Sequence, residues 1–329
     1  MIKNLLFGLL AAIALLMIYI FVLLSKDSWI ENDLIIEIKK NSSTSAIIDS
    51  LNQHGYLKPS AVFAPIIKIY SIFSGKYIQS GYYRFPADTI SNYTFLKGLF
   101  SRKFVYSVDV TLVEGMGIAQ FADILEKKLE INKKEFLRLS KSDTLLKKYQ
   151  IRQKSCEGYL APNTYRFMFR HNSKDILIRL LEEADKNWKT LFSAKSKKIG
   201  KTKSEILTMA SIIEAEAVLK EELPRIAGVY YNRLQRNMRL EADPTVQFAV
   251  GSKHKLTKTD LETVNPYNTY VFSGLPPGPI NNPGIKAIEA ALSPEEHNYI
   301  FFVAAGDGSH NFSVNYQEHL ANVVKYRNR

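Results

Sequence analysis

Two carboxylates stand in a stretch of sequence that is otherwise suited to burial. Glu214 and Glu216 lie within residues 211–218, Ser-Ile-Ile-Glu-Ala-Glu-Ala-Val. Burial raises the pKa of a carboxyl group, so that it can act as a general acid near neutral pH. Residues two apart on a helix are separated by about 200°, so at most one of the two acids is predicted to be catalytic. The alternative is that both flank the helix and contact solvent.

The sequence lacks the motifs of several other kinds of site. Its six histidines form no His-Glu-x-x-His motif and no close pair with metal-ligand spacing. It has no Gly-x-Ser-x-Gly nucleophile turn, no Gly-x-Gly-x-x-Gly dinucleotide fingerprint and no phosphate-binding P-loop. The single cysteine, Cys156, excludes an intrachain disulfide and a cysteine-based metal cluster. We therefore expect no metal and no cofactor.

Polar and aromatic residues downstream are suited to bind a substrate beside such an acid. Asp243 followed by Pro244 predicts the start of a helix with Asp243 as N-cap, and Gly251 predicts its end. Residues 267–270, Tyr-Asn-Thr-Tyr, alternate aromatic and polar groups, which predicts a strand and suits stacking on sugars. A sheet edge that binds nothing would show the same alternation, and a simple cap would also explain Asp243.

The hydrophobic pattern predicts that these residues are held by an α+β fold. A helix with an apolar stripe of period 3.6 is predicted over residues 204–219. The proline- and glycine-rich segments 159–167 and 274–280 are expected to form the walls of a cleft. Alternation and turn residues predict further elements: strands at 34–38, 81–85, 108–112 and 299–303, a helix over 42–55 and helices over 117–150.

The N-terminus predicts a membrane anchor. The twenty residues from Leu5 to Leu24 carry no charge and, at about 1.5 Å each, can span a hydrocarbon core of about 30 Å. No small-residue cleavage site follows them, so an uncleaved anchor is favoured over a cleaved signal peptide or a buried soluble helix. Lys3 precedes the span, whereas Lys26 and Asp27 nearly cancel, so the positive-inside rule predicts a cytoplasmic N-terminus.

The charge balance predicts an anionic partner. Lys and Arg number 44 against 32 Asp and Glu, a net charge of +12, which favours nucleic acid, anionic lipid or an acidic polymer. The predicted anchor places the bulk of the chain in the periplasm or outside the cell, which counts against nucleic acid.

Several strings of this sequence together resemble the YceG-like family of endolytic murein transglycosylases. They are residues 210–217 (ASIIEAEA), 226–229 (IAGV), 231–234 (YNRL), 243–247 (DPTVQ), 265–270 (NPYNTY), 274–280 (GLPPGPI), 282–284 (NPG) and 308–313 (GSHNFS). The resemblance is specific from about residue 155 to 320 and looser over 33–150, where the family has a LysM-like module. The string 157–165 (EGYLAPNTY) departs from the family pattern, because Ala161 and Asn163 replace an aromatic residue and a carboxylate.

This resemblance implies a lyase that cleaves peptidoglycan strands between N-acetylmuramic acid and N-acetylglucosamine and leaves 1,6-anhydro ends, so that nascent strands are terminated or trimmed. The second acid of the family motif corresponds to Glu216, with Glu214 as the fallback. The residues expected to hold the sugars are Asp243, Gln247, Tyr267, Asn268 and Tyr270.

The implied organisation has four parts: residues 1–26 as cytoplasmic tip and transmembrane anchor, 27–104 as the LysM-like module, 105–154 as a linking strand–helix region and 155–329 as the catalytic domain. The expected location is the bacterial cytoplasmic membrane, and the expected partners are peptidoglycan strands and cell-wall synthases. The competing hypothesis is an anchored, non-catalytic protein that binds peptidoglycan as a scaffold.

Overall fold

The computed structural model describes residues 2–29, 33–85, 87–252 and 254–327. These residues form helices and short strands, which agrees with the predicted mixture of α and β structure. The chain divides into two compact units, Met1–Val108 with Arg166–His171, and Asp109–Tyr165 with Asn172–Arg329. Of the linking region predicted over residues 105–154, residues 109–154 are grouped with the second unit.

The first unit combines a long N-terminal helix with two small antiparallel sheets. Strand β1 pairs with β4, and β2 pairs with β3. Ser43 caps α2 by accepting a hydrogen bond from the backbone N–H of Ala46 at 3.2 Å. The elements are α1 (Ile2–Ser25), β1 (Asp27–Trp29), β2 (Leu34–Ile38), α2 (Thr44–Gln53), α3 (Ser60–Ser74), β3 (Gly81–Phe85), β4 (Thr89–Ser91) and α4 (Asn92–Phe100).

Helix α1 confirms that the apolar N-terminal run is helical. Residues Lys3–Ser25 are long and apolar enough to cross a membrane. At its C-terminal end, Leu23 and Leu24 pack against the core of the first unit. Asn92 at the start of α4 donates from its side chain to the carbonyl of Leu23 at 2.8 Å and from its backbone to the carbonyl of Lys26 at 3.0 Å. The end of the helix is therefore attached directly to the first unit.

The second unit is mainly helical. Strands β5 and β6 pair with each other, and β7 and β8 form an antiparallel hairpin. The elements from residue 107 onward are β5 (Ser107–Leu112), α5 (Ile118–Leu129), α6 (Lys133–Leu139), α7 (Asp143–Lys148), β6 (Asn163–Met168), α8 (Ser173–Asn187), a π-helical turn (Trp188–Phe192), α9 (Ser193–Lys198), α10 (Lys203–Glu216), a 3₁₀ turn (Lys220–Glu222), α11 (Leu223–Gln235), α12 (Asp243–Val250), α13 (Lys258–Leu261), α14 (Ile285–Leu292), β7 (Phe301–Ala304), β8 (His310–Ser313) and α15 (Tyr316–Arg327).

Helix α10 is the buried centre of the second unit. It packs against α11, α12 and α14. The apolar stripe predicted for this helix is buried, but so is every other residue from Ile206 to Ile213, so the helix is buried on all sides along this stretch and not on one face alone. The helix also ends at Glu216, not at Leu219. The apolar pattern of the sequence continues beyond Glu216, but Val218 is 72% exposed. Another helical turn would therefore gain no burial of this side chain.

Two further predictions of local structure are corrected. Residues 267–270 form turns and not a strand, because the Asn268 side chain bonds to nearby backbone groups and folds the segment on itself. Asp243 is the first residue of α12 and not its cap, since Ala242 occupies the cap position without a side-chain bond. The strand predicted at 299–303 corresponds to β7.

Candidate active site

Glu216 is the last residue of α10 and lies against the neighbouring helix α11. The hydroxyl of Tyr230 donates a hydrogen bond to its Oε1 at 2.7 Å. Burial raises the pKa of Glu216 to about 7, while the Tyr230 bond and the charge of Arg233 pull that pKa down and the charge of Asp243 pushes it up. A carboxyl group with this pKa is protonated in a large fraction of molecules at neutral pH and can donate that proton.

Glu216 opens on a pocket of about 420 Å³. The pocket is bounded by the end of α10, by α11, by the segment that leads into α12, by the β7–β8 hairpin and by α15. Its lining consists of Glu216, Tyr230, Arg233, Leu240, Glu241, Asp243, Tyr270, Phe301, Phe302, Val303, Ala304, His310, Tyr316, His319 and Val323. Acidic, cationic and aromatic groups thus face one space, where a few placed polar groups can fix the orientation of a ligand.

Arg233 supplies a fixed positive charge to the wall of this pocket. Its guanidinium donates to the carbonyls of Ile300 at 2.7 Å and Leu240 at 2.8 Å, and to the carboxylate of Glu241 at 3.1 Å. The side chain is only 9% exposed, so its position is set by these bonds. The sequence places Arg233 in a family string, but nothing in its local pattern indicates this role.

Two of the predicted substrate-binding residues meet in the same pocket. The hydroxyl of Tyr270 donates to Oδ1 of Asp243 at 2.7 Å, and both residues line the pocket with Glu216. Because Asp243 lies in the first turn of α12, its negative charge is also favoured by the helix dipole. The structure therefore brings Glu216, Asp243 and Tyr270 together.

Asn268 is placed differently. It has no exposed surface, and its amide nitrogen donates to the carbonyls of Leu261 at 3.0 Å and Thr263 at 2.8 Å. Its Oδ1 accepts from the backbone N–H of Tyr270 at 2.9 Å. The Asn268 side chain is therefore engaged in hydrogen bonds that hold the loop that carries Tyr270.

Gln247 and Tyr267 also lie outside the residues that line the Glu216 pocket. The amide of Gln247 donates to the carbonyl of His254 at 3.4 Å. The ring of Tyr267 packs against Phe248 with 4.7 Å between ring centroids. Neither residue is completely buried, so both retain surface for a ligand that extends beyond the pocket.

Glu214 and Glu216 contact different parts of the structure, in agreement with their predicted angular separation on the helix. Its Oε2 accepts a hydrogen bond from the backbone N–H of Gly284 at 2.9 Å, beside the start of α14. Burial raises the pKa of Glu214, the Gly284 bond lowers it, and the charges of Glu114 and Lys220 act in opposite directions. The hydrogen bond between the Glu214 carboxylate and the backbone of Gly284 thus connects α10 to the start of α14.

Glu157 is a perturbed carboxylate that the sequence reasoning missed. Both of its oxygens accept from the backbone N–H of Ile118, at 3.1 and 3.2 Å, and Asn282 donates to Oε1 at 3.1 Å. Burial raises the pKa of Glu157 to about 7 against these bonds. The residue completes the N-terminus of α5 from a distant part of the chain, and its only signal in the sequence is its place at the head of the family string 157–165.

Across residues 2–29, 33–85, 87–252 and 254–327, no three His, Cys, Asp or Glu side chains are grouped so that they could hold a metal ion. The side chains that line the Glu216 pocket can transfer protons, form hydrogen bonds and stack on rings.

Comparison with known proteins identifies the family. The model of the YceG-like family matches residues 36–325. The chain belongs to the YceG-like family. The family match includes all residues that line the Glu216 pocket.

Proteins similar to this chain carry a common name. An endolytic murein transglycosylase of Bacillus subtilis (strain 168) is 31% identical over 306 residues, which cover 88% of this chain and 84% of that protein. An endolytic murein transglycosylase of Streptococcus pneumoniae serotype 2 is 32% identical over 202 residues, or 58% of this chain and 36% of that larger protein.

A solved structure is similar over most of the chain. The crystal structure of a YceG-like protein from Listeria monocytogenes has a TM-score of 0.62 and 30% sequence identity, and the match covers 89% of this chain and 99% of that one. The family therefore extends over both compact units.

Proposed function

We propose that this chain is a lytic murein transglycosylase that cuts peptidoglycan strands internally, between N-acetylmuramic acid and N-acetylglucosamine. The observation that carries the proposal is Glu216, a carboxyl with a pKa raised to about 7, at the edge of a pocket with polar and aromatic walls in a member of the YceG-like family. The names of the relatives from Bacillus subtilis and Streptococcus pneumoniae support the same activity.

Glu216 is the proposed acid. In its protonated form it donates to the glycosidic oxygen, so that the N-acetylglucosamine side leaves as an alcohol and positive charge develops at C1 of the muramic acid. The Tyr230 hydroxyl bonds to Oε1, which leaves Oε2 to carry the proton. Glu214 is the fallback acid, although its Oε2 is bonded to the backbone of Gly284.

The nucleophile is the C6 hydroxyl of the same muramic acid residue. Since it is already attached to the sugar, its effective concentration at C1 is high. Its attack closes the 1,6-anhydro ring and consumes no water, so the enzyme is a lyase. The hydroxyl proton must pass to an acceptor, and the Glu216 carboxylate formed in the first transfer is the acceptor that the single-acid mechanism supplies.

Substrate contacts are assigned to the predicted residues according to where each one lies. Asp243 and Tyr270 contact the sugar in the Glu216 pocket, and Tyr230 holds the acid in place. Gln247 and Tyr267 contact sugars farther along the strand, and Asn268 acts by holding the loop of Tyr270. Exposed lysines attract the peptide carboxylates of murein.

The N-terminal half is proposed to hold the enzyme where strands are made. Helix α1 is a single-pass anchor in the bacterial cytoplasmic membrane, with the two compact units in the periplasm or outside. The β2-α2-α3-β3 arrangement of the first unit is the proposed LysM-like module. From this position the enzyme terminates or trims nascent strands beside the cell-wall synthases.

The test is a digest of purified murein with the full-length protein in detergent, followed by mass spectrometry of the released fragments. Fragments that carry 1,6-anhydro ends and come from cuts within the strand support the proposal. Reducing ends would indicate a hydrolase. Tight binding to murein without any cleavage would favour the competing hypothesis of a peptidoglycan-binding scaffold.

A further inference from the structure

A second acid–base group faces the Glu216 pocket. His310, the first residue of β8, lines the pocket together with Glu216. Its partner is Glu222, at the end of the 3₁₀ turn that precedes α11. The His310 and Glu222 side chains are only 9% and 12% exposed, so the pair is held by the protein and not by solvent.

Glu222 fixes His310 through two bonds. The backbone N–H of His310 donates to Oε1 of Glu222 at 3.0 Å, and Nδ1 of the ring lies 2.7 Å from Oε2. Both carboxylate oxygens are thus used by one residue that is 88 positions away in the sequence. The ring also packs edge-on against Phe302, with 5.2 Å between centroids, so its orientation is set on two sides.

This arrangement selects one tautomer of the ring. A carboxylate only accepts hydrogen bonds, so Nδ1 carries the proton and Nε2 of the neutral ring holds a free lone pair. Among the residues that the structure describes, Nε2 has no hydrogen-bond partner. A histidine oriented in this way by a carboxylate is the arrangement that makes an imidazole an effective base.

We propose that His310 is a further catalytic residue, the base that accepts the proton of the muramic C6 hydroxyl. This inference rests on the proposed transglycosylase function. Glu216 gives its proton to the glycosidic oxygen, the C1–oxygen bond breaks, the C6 oxygen bonds to C1, and its proton moves to Nε2 of His310. Glu222 stabilises the imidazolium that results. The charge then returns to its starting state when that proton passes to the Glu216 carboxylate through water in the pocket.

Division of the two transfers between two residues relieves a geometric demand on Glu216. In the single-acid mechanism the same carboxyl must reach the leaving oxygen and the C6 hydroxyl, while Tyr230 already occupies Oε1.

The neighbouring charges on the pocket walls are those of Glu216, Asp243, Glu241 and Arg233. A structural role is the competing explanation, because the pair also connects the β7–β8 hairpin to the start of α11.

The test compares His310→Ala, Glu222→Gln and wild type in the murein digest, with melting temperature and murein binding measured on each protein. His310→Ala should bind murein like wild type and lose about 10²–10⁴-fold in cleavage rate. Added imidazole, which fits the space left by the ring, should restore part of that rate. Glu222→Gln keeps the ring but removes the carboxylate that selects its tautomer, and should lose up to about 10⁴-fold in cleavage rate.

His254→Gln is the matched control, because His254 forms a similar pair with Asp260 at 2.9 Å outside the pocket lining; its cleavage rate should equal that of wild type. Cleavage by His310→Ala within about threefold of wild type, or a loss that imidazole does not relieve, would reject the role as a base. Should His310→Ala melt early, the Glu222→Gln rate decides, and an unchanged rate rejects the proposal. A wild-type protein that leaves no anhydro ends would instead reject the transglycosylase function itself.

Discussion

The Tyr230 hydroxyl donates a 2.7 Å hydrogen bond to Oε1 of Glu216. The bond joins two helices that the 3₁₀ turn Lys220–Glu222 separates in the chain, and it fixes the carboxyl at the edge of the pocket. It favours the ionised form of Glu216, whereas burial favours the protonated form and is the larger effect, since the pKa is raised to about 7. Tyr230 therefore limits how far that pKa rises, together with the charge of Arg233.

Replacement of Tyr230 by Phe removes this bond and should raise the pKa of Glu216 further. The acid must be protonated to act, so the cleavage rate falls as pH rises through its pKa, and in Tyr230→Phe this alkaline fall should move to higher pH. Rates of murein cleavage across a pH series measure it. Tyr231→Phe is the control, because its hydroxyl bonds to the carbonyl of Ala291 and its pH profile should be unchanged. A shift to lower pH in Tyr230→Phe would contradict this account of Glu216.

Replacement of Glu216 by Gln keeps the shape of the side chain and removes the proton that it donates. The cleavage rate should fall by about 10²–10⁴-fold, while sedimentation with murein sacculi stays at the wild-type level because other groups bind the strand. Glu214→Gln should retain most activity. An inactive Glu214→Gln enzyme beside an active Glu216→Gln enzyme would transfer the role of acid to Glu214.

The local elements were largely predictable from the sequence, because they depend on neighbours in the chain. The strand Gly81–Phe85 and the helix Thr44–Gln53 follow from alternation, period and a serine cap. The strand predicted over residues 267–270 was wrong. Alternation of aromatic and polar groups predicts a strand only when the polar side chains do not bond to the backbone of their own loop. Asn268 does so through three hydrogen bonds.

The site was predictable only in part, because it is assembled from distant segments. Glu216 was visible as an acid in an apolar run, and Asp243 and Tyr270 through the family strings. The bonds that His310 makes to Glu222, and that the backbone N–H of Ile118 donates to Glu157, join residues that no periodicity relates. Such pairs come from tertiary packing, and their chemistry is apparent only once that packing is known.

Asn268→Ala should lower stability more than chemistry. The change leaves the carbonyls of Leu261 and Thr263 and the N–H of Tyr270 without their partner, at a cost of about 1–3 kcal/mol per buried group. The melting temperature should fall by several degrees, at about 2–4 °C per kcal/mol for a domain of this size. Gln247→Ala, which loses one 3.4 Å bond, should melt like wild type. Unchanged melting of Asn268→Ala together with lost murein binding would favour direct sugar contact.

Glu157→Gln should make stability less dependent on pH. The pKa of Glu157 is about 7 in the folded protein against an ordinary value of 4.5, so the folded state holds the proton more tightly than the unfolded chain. The resulting stabilisation is fully present below about pH 4.5 and is lost as pH rises through about 7. Glutamine resembles the neutral acid at every pH, so the variant does not lose this stabilisation. Its free energy of unfolding should therefore increase relative to that of wild type as pH rises from about 4.5 to about 7. Denaturant titrations at both ends of the range measure the difference, and parallel curves would contradict the raised pKa.

The proposed topology predicts the behaviour of fusions at the C-terminus. A reporter that is active only in the cytoplasm should stay silent there, and one that is active only outside the cytoplasm should give signal, because α1 carries the chain across the membrane once. Deletion of residues 5–24 should reverse both results. A strong cytoplasmic signal from the complete chain would reject the single-pass arrangement.

In the proposed topology, the attachment of α1 to the first unit affects the orientation of that unit as well as its location. Leu23 and Leu24 pack on the core of that unit, and Asn92 donates to the carbonyls of Leu23 and Lys26, so the C-terminal end of the helix is attached to the core that includes the β2–β3 sheet. Transmembrane helices tilt by about 20° on average, and the first unit would lean by the same angle relative to the bilayer normal. Membrane thickness is one influence on that tilt, so in the proposed topology it would also affect the direction in which the first unit meets the cell wall.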